Sequence, residues 1–461
     1  MVAFEEQLYI HSIAYSIVNS FPDFFTTRQS KRPKSHMHLD THALAQPTHP
    51  DLFHSRTEQR PMVTATDDKA FSRWLDLFRW VAALSVVFAH SENRFLIRIA
   101  DLASTQRTLP LYLFSFVAGF AHQSVMIFFV LSGHLVGGGL WREAKREQAI
   151  NLPKYLVRRV SRLCIVLYPT FLLIGLLNAF GIGVFHGIAT GAYSADVIHS
   201  MGPAAFVCNA TFFNTALCRN YGGDGALWSL YNEFWYYIVW PLILLGLYVP
   251  SAWKRILCFV TAGLLLTVLT LLQFEGSAIG PYMLIWLLGV GVAWMPRPII
   301  RSYAMSGALF IAGLLAVRIA IRRSFGDIHP ISMFFVDLLL SALFANLLIT
   351  MKHNRSLRSP VGKDWNYRLA AFSFSLYCIH TPVLNLYGAA LKYYTGANLK
   401  MVPDHFWKWG FIFGAVGLSC AAGFFFSRVT EAHTAVLRAW LMRLFKLNIK
   451  EHRPAVALVD V

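Results

Sequence analysis

Residues 75–90 read LDLFRWVAALSVVFAH, running from Leu75 to His90. Apolar side chains fill this stretch on every side, with none of the alternation a half-buried strand shows. The apolar run it belongs to extends from about 74 to 93, and some 20 residues at about 1.5 Å each are what a helix needs to cross ~30 Å of hydrocarbon. Three ionisable residues interrupt the stretch 75–90: Asp76, Arg79 and His90. At about 100° per residue, Arg79 and His90 project from one face, roughly 16 Å apart along the axis. Asp76 is three residues before Arg79, within pairing reach. Charged groups inside a span are costly and mark function by default, although an Asp–Arg anchor and a hydrogen-bonded core histidine would account for these three as well.

Outward from this stretch the same pattern repeats. Apolar runs lie near 111–138, 163–184, 229–249, 254–273, 278–295, 303–320, 331–351, 369–391 and 407–427, separated by short polar connections. The expected fold is therefore all-α, a polytopic transmembrane helical bundle of about ten spans. Composition agrees: 56% of the 461 residues are hydrophobic and only 14% charged, too few charges for a soluble surface. Lys and Arg outnumber Asp and Glu 41 to 24. They lie between apolar runs, which is the pattern of membrane orientation and not of a nucleic-acid interface. No internal repeat is visible, which disfavours an inverted-repeat transporter.

Residues 1–68 are polar, rich in His, Thr and Pro, and carry the basic run from Arg28 to Lys34. That composition predicts a disordered cytoplasmic tail, with Met62 an alternative start. Residues 69–430 form the transmembrane domain and 431–461 a short basic cytoplasmic tail. The connections after the second and eighth runs carry Arg142, Lys145, Arg146, Arg158 and Lys352, Arg355, Arg358, whereas 185–227 holds Arg219 as its sole Lys or Arg. The positive-inside rule then predicts both termini cytoplasmic. Arg318, Arg322 and Arg323 fall on the opposite side and break the rule. Six scattered cysteines give no metal-site spacing. Cys208 and Cys218 share one polar segment, and a disulfide and two free thiols fit the spacing equally.

Later spans carry further polar groups. The second ends Phe128-Phe129-Val130-Leu131-Ser132-Gly133-His134, whose Ser-Gly pair suits close helix packing. The third opens with Arg159 and Arg162, one turn apart; two such guanidiniums suit a phosphate ligand, and also plain anchoring. The fourth opens Trp228-Ser229-Leu230-Tyr231-Asn232-Glu233, followed by Tyr237 and Pro241. Glu233 is its sole carboxylate, while its aromatics fit an interfacial belt or a sugar-stacking wall. The ninth holds Ser373-Phe374-Ser375-Leu376-Tyr377-Cys378-Ile379-His380-Thr381-Pro382, where a proline kink beside a bonded histidine is the simplest account.

Taken in order over residues 74–430, these pieces resemble the membrane acyltransferase-3 family. Arg79 and His90 match the Arg and His of its first helix. FFVLSGH matches the end of its second, Arg159 and Arg162 its Arg-x-x-Arg, Trp228, Ser229, Leu230, Glu233, Tyr237 and Pro241 its Trp-Ser-Leu…Glu…Tyr…Pro, and Ser373 to Pro382 its last motif. There are three departures: His134 replaces an aromatic or aliphatic residue, Asn232-Glu233-Phe234 replaces a double acidic pair, and a proline after Arg162 is displaced to Pro169.

The resemblance implies a multi-pass protein of a bacterial inner membrane that moves an acyl group, often acetyl from acetyl-CoA as co-substrate, to a hydroxyl of a cell-surface, exported or lipid-linked glycan. No metal or nucleic acid is implied. Acyl transfer needs a base and oxyanion stabilisation, so His90, Arg79 and Glu233 are the expected catalytic groups. Arg159, Arg162 and Arg79 are expected to bind the donor, and Trp228, Ser229, Tyr237 and His380 the acceptor. A transporter or flippase of a lipid-linked glycan is the alternative that uses the same buried charges, and a scaffold leaves the same-face Arg/His pair unexplained.

Overall fold

The computed structural model describes residues 65–272, 278–323 and 330–447. The chain divides into two units, 1–65 and 66–461; the basic run 28–34 and Met62 lie outside the described residues. All regular structure among these residues is helical, and one isolated bridge joins Leu96 to Met401.

Helices stand at every apolar run. The longer ones are α1 (Ala65–Phe95), α2 (Leu109–Ala118), α3 (Ala121–Ser132), α4 (Gly138–Glu147), α5 (Leu152–Gly183), α6 (Trp228–Tyr248), α7 (Ala252–Leu271) and α8 (Ile279–Trp294). They continue with α9 (Tyr303–Arg323), α10 (Pro330–His353), α11 (Lys363–Ala370), α12 (Ser373–Thr395), α13 (Phe406–Val429) and α14 (Thr434–Leu444). By length and composition six helical stretches among the described residues can cross a membrane, or seven if the α11–α12 pair, bent by 55°, counts as one. The expected ten is therefore not reproduced by that criterion. The shortfall has a physical cause. Asp76, Arg79 and His90 lower the hydropathy of α1, Asn232 and Glu233 that of α6, and α8 spans only 16 residues.

α1 is the hub. Val87 packs with Leu376 of α12 and Val416 of α13, and Phe78 meets Phe344 of α10 edge-on, ring centres 5.2 Å apart. At its N-terminal half, Trp74 donates to the Arg358 carbonyl at 2.9 Å and Trp80 to Asn366 Oδ1 at 3.0 Å. At its other end the backbone pairs with Met401, between α12 and α13. α12 in turn packs on α5 and α13. Outer helices turn apolar stripes away from the bundle: Ile256, Val260 and Leu264 of α7 are each more than half exposed, the surface expected of helices facing lipid chains.

α3 and α8 cross so closely that neither backbone tolerates a side chain there. A Cβ on Gly133 would lie 1.9 Å from the Trp286 carbonyl oxygen, and one on Gly289 2.0 Å from that of Val130. Between α3 and α4 the chain makes a π turn over Gly133–Gly137. One of its carbonyls, Gly137, accepts from Trp240 Nε1 at 3.1 Å.

The segment between α5 and α6 is compact and hydrogen-bonded. Cys208 and Cys218 are joined in a disulfide, which decides between the two readings open in sequence. Asn209 ties the segment together, accepting from Tyr221 N and the Tyr231 hydroxyl and donating to the Ala205 and Arg219 carbonyls. Arg318, which breaks the charge rule, acquires a reason here: its guanidinium donates to the carbonyls of Ser115 and Phe116 at the end of α2, where carbonyls have acceptor capacity to spare. The Arg322 and Arg323 side chains lie outside the described residues.

Candidate functional site

A cavity of about 140 Å³ opens among α1, α3, α5, α6 and α12. Its polar lining is Arg79, Arg159, Arg162, Glu233, Ser132, Ser229, Ser373, Tyr237 and Tyr377, and its apolar lining includes Phe128, Leu135 and Phe374. All four motif-bearing segments after α1 thus converge on the cavity that Arg79 of α1 lines, through Phe128 and Ser132, through Arg159 and Arg162, through Ser229, Glu233 and Tyr237, and through Ser373 and Tyr377.

Each charged group reaches the cavity differently. Arg79 is half-buried and 3.9 Å from Asp76, which lies 3.8 Å from Arg73 as well. Arg159 sits over the Tyr155 ring at 5.7 Å, and its Nε is buried without a hydrogen-bond partner. Arg162 is exposed at the rim. The neighbouring Arg158 turns elsewhere, bonded to Glu143 at 3.0 Å. Glu233 is gripped by hydroxyls: Ser132 and Tyr237 both donate to its Oε1, and Trp286 Nε1 donates to Ser132 Oγ at 3.1 Å. In the lining itself three guanidiniums stand with one carboxylate, an arrangement suited to an anion with an apolar portion, while Asp76 pairs with Arg79 from outside the lining.

Glu431, just beyond α13, is a member that sequence reading missed. Ser375 donates to its Oε2 at 3.1 Å, and it interacts electrostatically with Arg162 and Arg79. It belongs to no motif, so only the packing of α13 against α12 discloses it.

His90 and His380 are not in the cavity lining. They meet each other instead, His380 Nε2 to His90 Nδ1 at 3.1 Å, with ring centres 4.8 Å apart. Thr381 Oγ1 lies 3.4 Å from both nitrogens. Tyr377 stands between the two groups. Its side chain lines the cavity, its ring is 5.9 Å from that of His380, and its hydroxyl bonds Ser229 Oγ at 2.8 Å and the Ala226 carbonyl at 2.7 Å. The α5–α6 segment therefore reaches the site through Ala226. Just before it lies Asp224, fully buried, with Oδ1 accepting from Ala226 N at 3.1 Å. Burial pushes the Asp224 carboxyl up to about 7.

Trp228 too stands apart from the cavity. It packs on Phe129 and Tyr282, ring centres 5.9 and 5.7 Å away, and is not part of the cavity lining. His134 is buried against Phe71. Among the described residues no group of His, Cys, Asp and Glu gathers to hold a metal ion.

A family described as an acyltransferase domain matches residues 72–429 of this chain. The peptidoglycan O-acetyltransferase OatA of Listeria monocytogenes serovar 1/2a is 30% identical over 126 residues, which cover 26% of this chain and 19% of that protein. The chain thus spans about a fifth of the length of that curated relative. No solved structure matches.

Proposed function

This chain belongs to the acyltransferase-3 family and is a membrane O-acyltransferase; on that premise we propose that it moves an acyl group, acetyl foremost, from a coenzyme A thioester to a hydroxyl of a cell-surface, exported or lipid-linked glycan. The observation that carries the reading is the convergence of Arg79, Arg159 and Arg162 on one cavity, with an imidazole pair beyond Tyr377. The similarity to a peptidoglycan O-acetyltransferase supports acetyl as the group and a glycan as the acceptor.

The donor's chemistry fits the lining. Phosphate oxygens would find the unpartnered Arg159 Nε and the rim guanidinium of Arg162, and the apolar wall suits the thioester arm. A cavity of about 140 Å³ is smaller than the roughly 300–1,000 Å³ that encloses a drug-sized ligand, so it holds one part of the donor and leaves the rest outside. The bound thioester supplies an activated carbonyl. His90 takes the proton of the incoming hydroxyl, and Arg79, roughly 16 Å away along α1, holds the donor from the cavity side together with Arg159 and Arg162. Glu233, fixed by two hydroxyls, balances the arginines and holds Tyr237 in place.

We assign the Arg79–Arg162 side to the cytoplasm, where the thioester is made. The basic connections support that side by the positive-inside rule, and the Cys208–Cys218 disulfide supports an oxidising outer compartment for the α5–α6 segment. About ten helices cross the membrane, both termini are cytoplasmic, and the membrane is the bacterial inner one. The test supplies acetyl-CoA labelled in the acetyl group to membranes from cells that carry the chain natively and from a deletion strain. Label should enter the envelope glycan only with the chain present. Equal labelling without it contradicts the proposal.

A further inference from the structure

Of the two imidazoles, His380 is wholly buried, whereas His90 keeps part of its surface open. His380 Nδ1 lies 2.8 Å from the Tyr377 carbonyl oxygen and 3.3 Å from that of Leu376. A carbonyl only accepts, so Nδ1 carries the proton and donates. The other ring nitrogen, Nε2, faces His90 Nδ1 at 3.1 Å. A second proton on His380 would place a charge at a fully buried site whose bonding partners are two carbonyls, the Thr381 hydroxyl and an imidazole, none of them a carboxylate; the Asp224 carboxyl bonds Thr381 and not the ring. His380 Nε2 is therefore a lone pair, and the proton in the 3.1 Å contact belongs to His90 Nδ1. In the neutral form that a base requires, His90 Nε2 is then left unprotonated.

We propose that His380 is a positioning residue that fixes the tautomer and ring orientation of His90, leaving His90 Nε2 as the atom that removes the acceptor's proton. The proposal rests on reading His90 as the base. The backbone of α12 drives the arrangement: the Tyr377 carbonyl orients His380, and His380 orients His90. This is the role a second group plays behind the histidine of a catalytic triad, performed here by a neutral imidazole. In the transfer step the hydroxyl proton passes to His90 Nε2 as its oxygen bonds to the acyl carbon. When the carbon–sulfur bond breaks, that proton neutralises the departing thiolate. His380 keeps its own proton throughout. The acceptor role expected for His380 from the motif is replaced, because both of its nitrogens are engaged within the protein.

The experiment measures acetyl transfer to envelope glycan in membranes, varying labelled acetyl-CoA, for three single variants and one double variant of equal membrane abundance. His380→Phe keeps the volume but offers no acceptor to His90 Nδ1. It should lower kcat by about 10–100-fold, the scale of lost orienting partners of a working histidine, with the donor KM within about twofold. His380→Gln can place its amide oxygen where Nε2 lies and should recover most of kcat. In the His90→Ala background His380→Phe should cost nothing further, since residues that act as a unit are non-additive. Normal kcat in His380→Phe, equal loss in Phe and Gln variants, or a further loss on top of His90→Ala would overturn the proposal. Full activity in His90→Ala alone would instead remove the reading beneath it.

Discussion

His90 and His380 are 290 positions apart in the chain and 3.1 Å apart in space. Each was legible as a motif residue, but their partnership was not, because it arises from α1 packing on α12 and leaves no trace in local spacing. Arg79 and Glu233 were legible as rare charges in apolar runs, and Arg159 and Arg162 as a pair one turn apart where the third span opens. Glu431 was hidden, lying where the chain turns polar after α13. Two outcomes follow for the arginines. Arg162→Ala should raise the KM for acetyl-CoA by about 10–100-fold, the worth of a charge-assisted contact of roughly 1.5–3 kcal/mol; unchanged donor dependence would leave Arg162 an anchoring role only. Arg79→Lys should lose transfer at normal membrane abundance, because an ammonium lacks the planar fork of the guanidinium.

Asp224 provides a test of pH dependence in the segment between α5 and α6. Its carboxyl, ordinarily near 3.8, is pushed up to about 7 by burial, so the folded state holds its proton more tightly than the unfolded one. The stabilisation is fully present below the unfolded value and is lost as pH rises through about 7. Between pH 5 and 8 this amounts to roughly 2–3 kcal/mol. Asp224→Asn keeps an acceptor for Ala226 N and removes the titration, so its thermal unfolding in detergent should vary less between those pH values than that of the unmodified chain. Identical pH dependence of the two would contradict it.

At the scale of elements, helix class and position were readable because the apolar runs are long and their breaks polar. What was not readable was how the runs divide. The run 111–138 appeared continuous, but the structure breaks it between α2 and α3 and adds a π turn at Gly133–Gly137, since an all-round apolar pattern carries no phase to mark a break. The Ser132-Gly133 pair was legible as a packing signal, and the α3–α8 crossing bears it out. Gly133→Ala would drive its Cβ against the Trp286 carbonyl, a backbone atom with little freedom to move. Overpacking of this kind costs about 1–3 kcal/mol or more, so the variant should show a lowered unfolding temperature and reduced membrane abundance. A normal unfolding temperature would mean that the crossing relaxes easily. Glu233 should suffer with it, because Trp286 and Ser132 both belong to that crossing.

For the molecule as a whole, the helices that fall short by hydropathy, α1 and α6, carry Arg79 and Glu233, while Arg159 and Arg162 lie near the start of α5, which with α7, α9, α10 and α13 belongs to the stretches apolar enough to cross. Charge is concentrated at the centre and hydrocarbon at the periphery, as burial of ionisable groups in a bilayer requires. Sidedness follows from the connections. Reporter fusions after Arg146 and Arg358 should read cytoplasmic and one near Ser200 external. Cys208 and Cys218 should react with a membrane-impermeant maleimide only after reduction. A cytoplasmic Ser200 would reverse the orientation and the side from which the donor is drawn.

The central claim is that His90 performs the proton transfer. The measurement is acetyl transfer by His90→Ala, made together with acetyl-CoA binding to the same purified variant. Binding should stay within about twofold and membrane abundance should be normal, while transfer should fall by about 10²–10⁴-fold, the range for a positioned general base. Near-normal transfer by well-expressed His90→Ala would contradict the account and turn attention to Glu233 and His380 as the groups able to accept the proton.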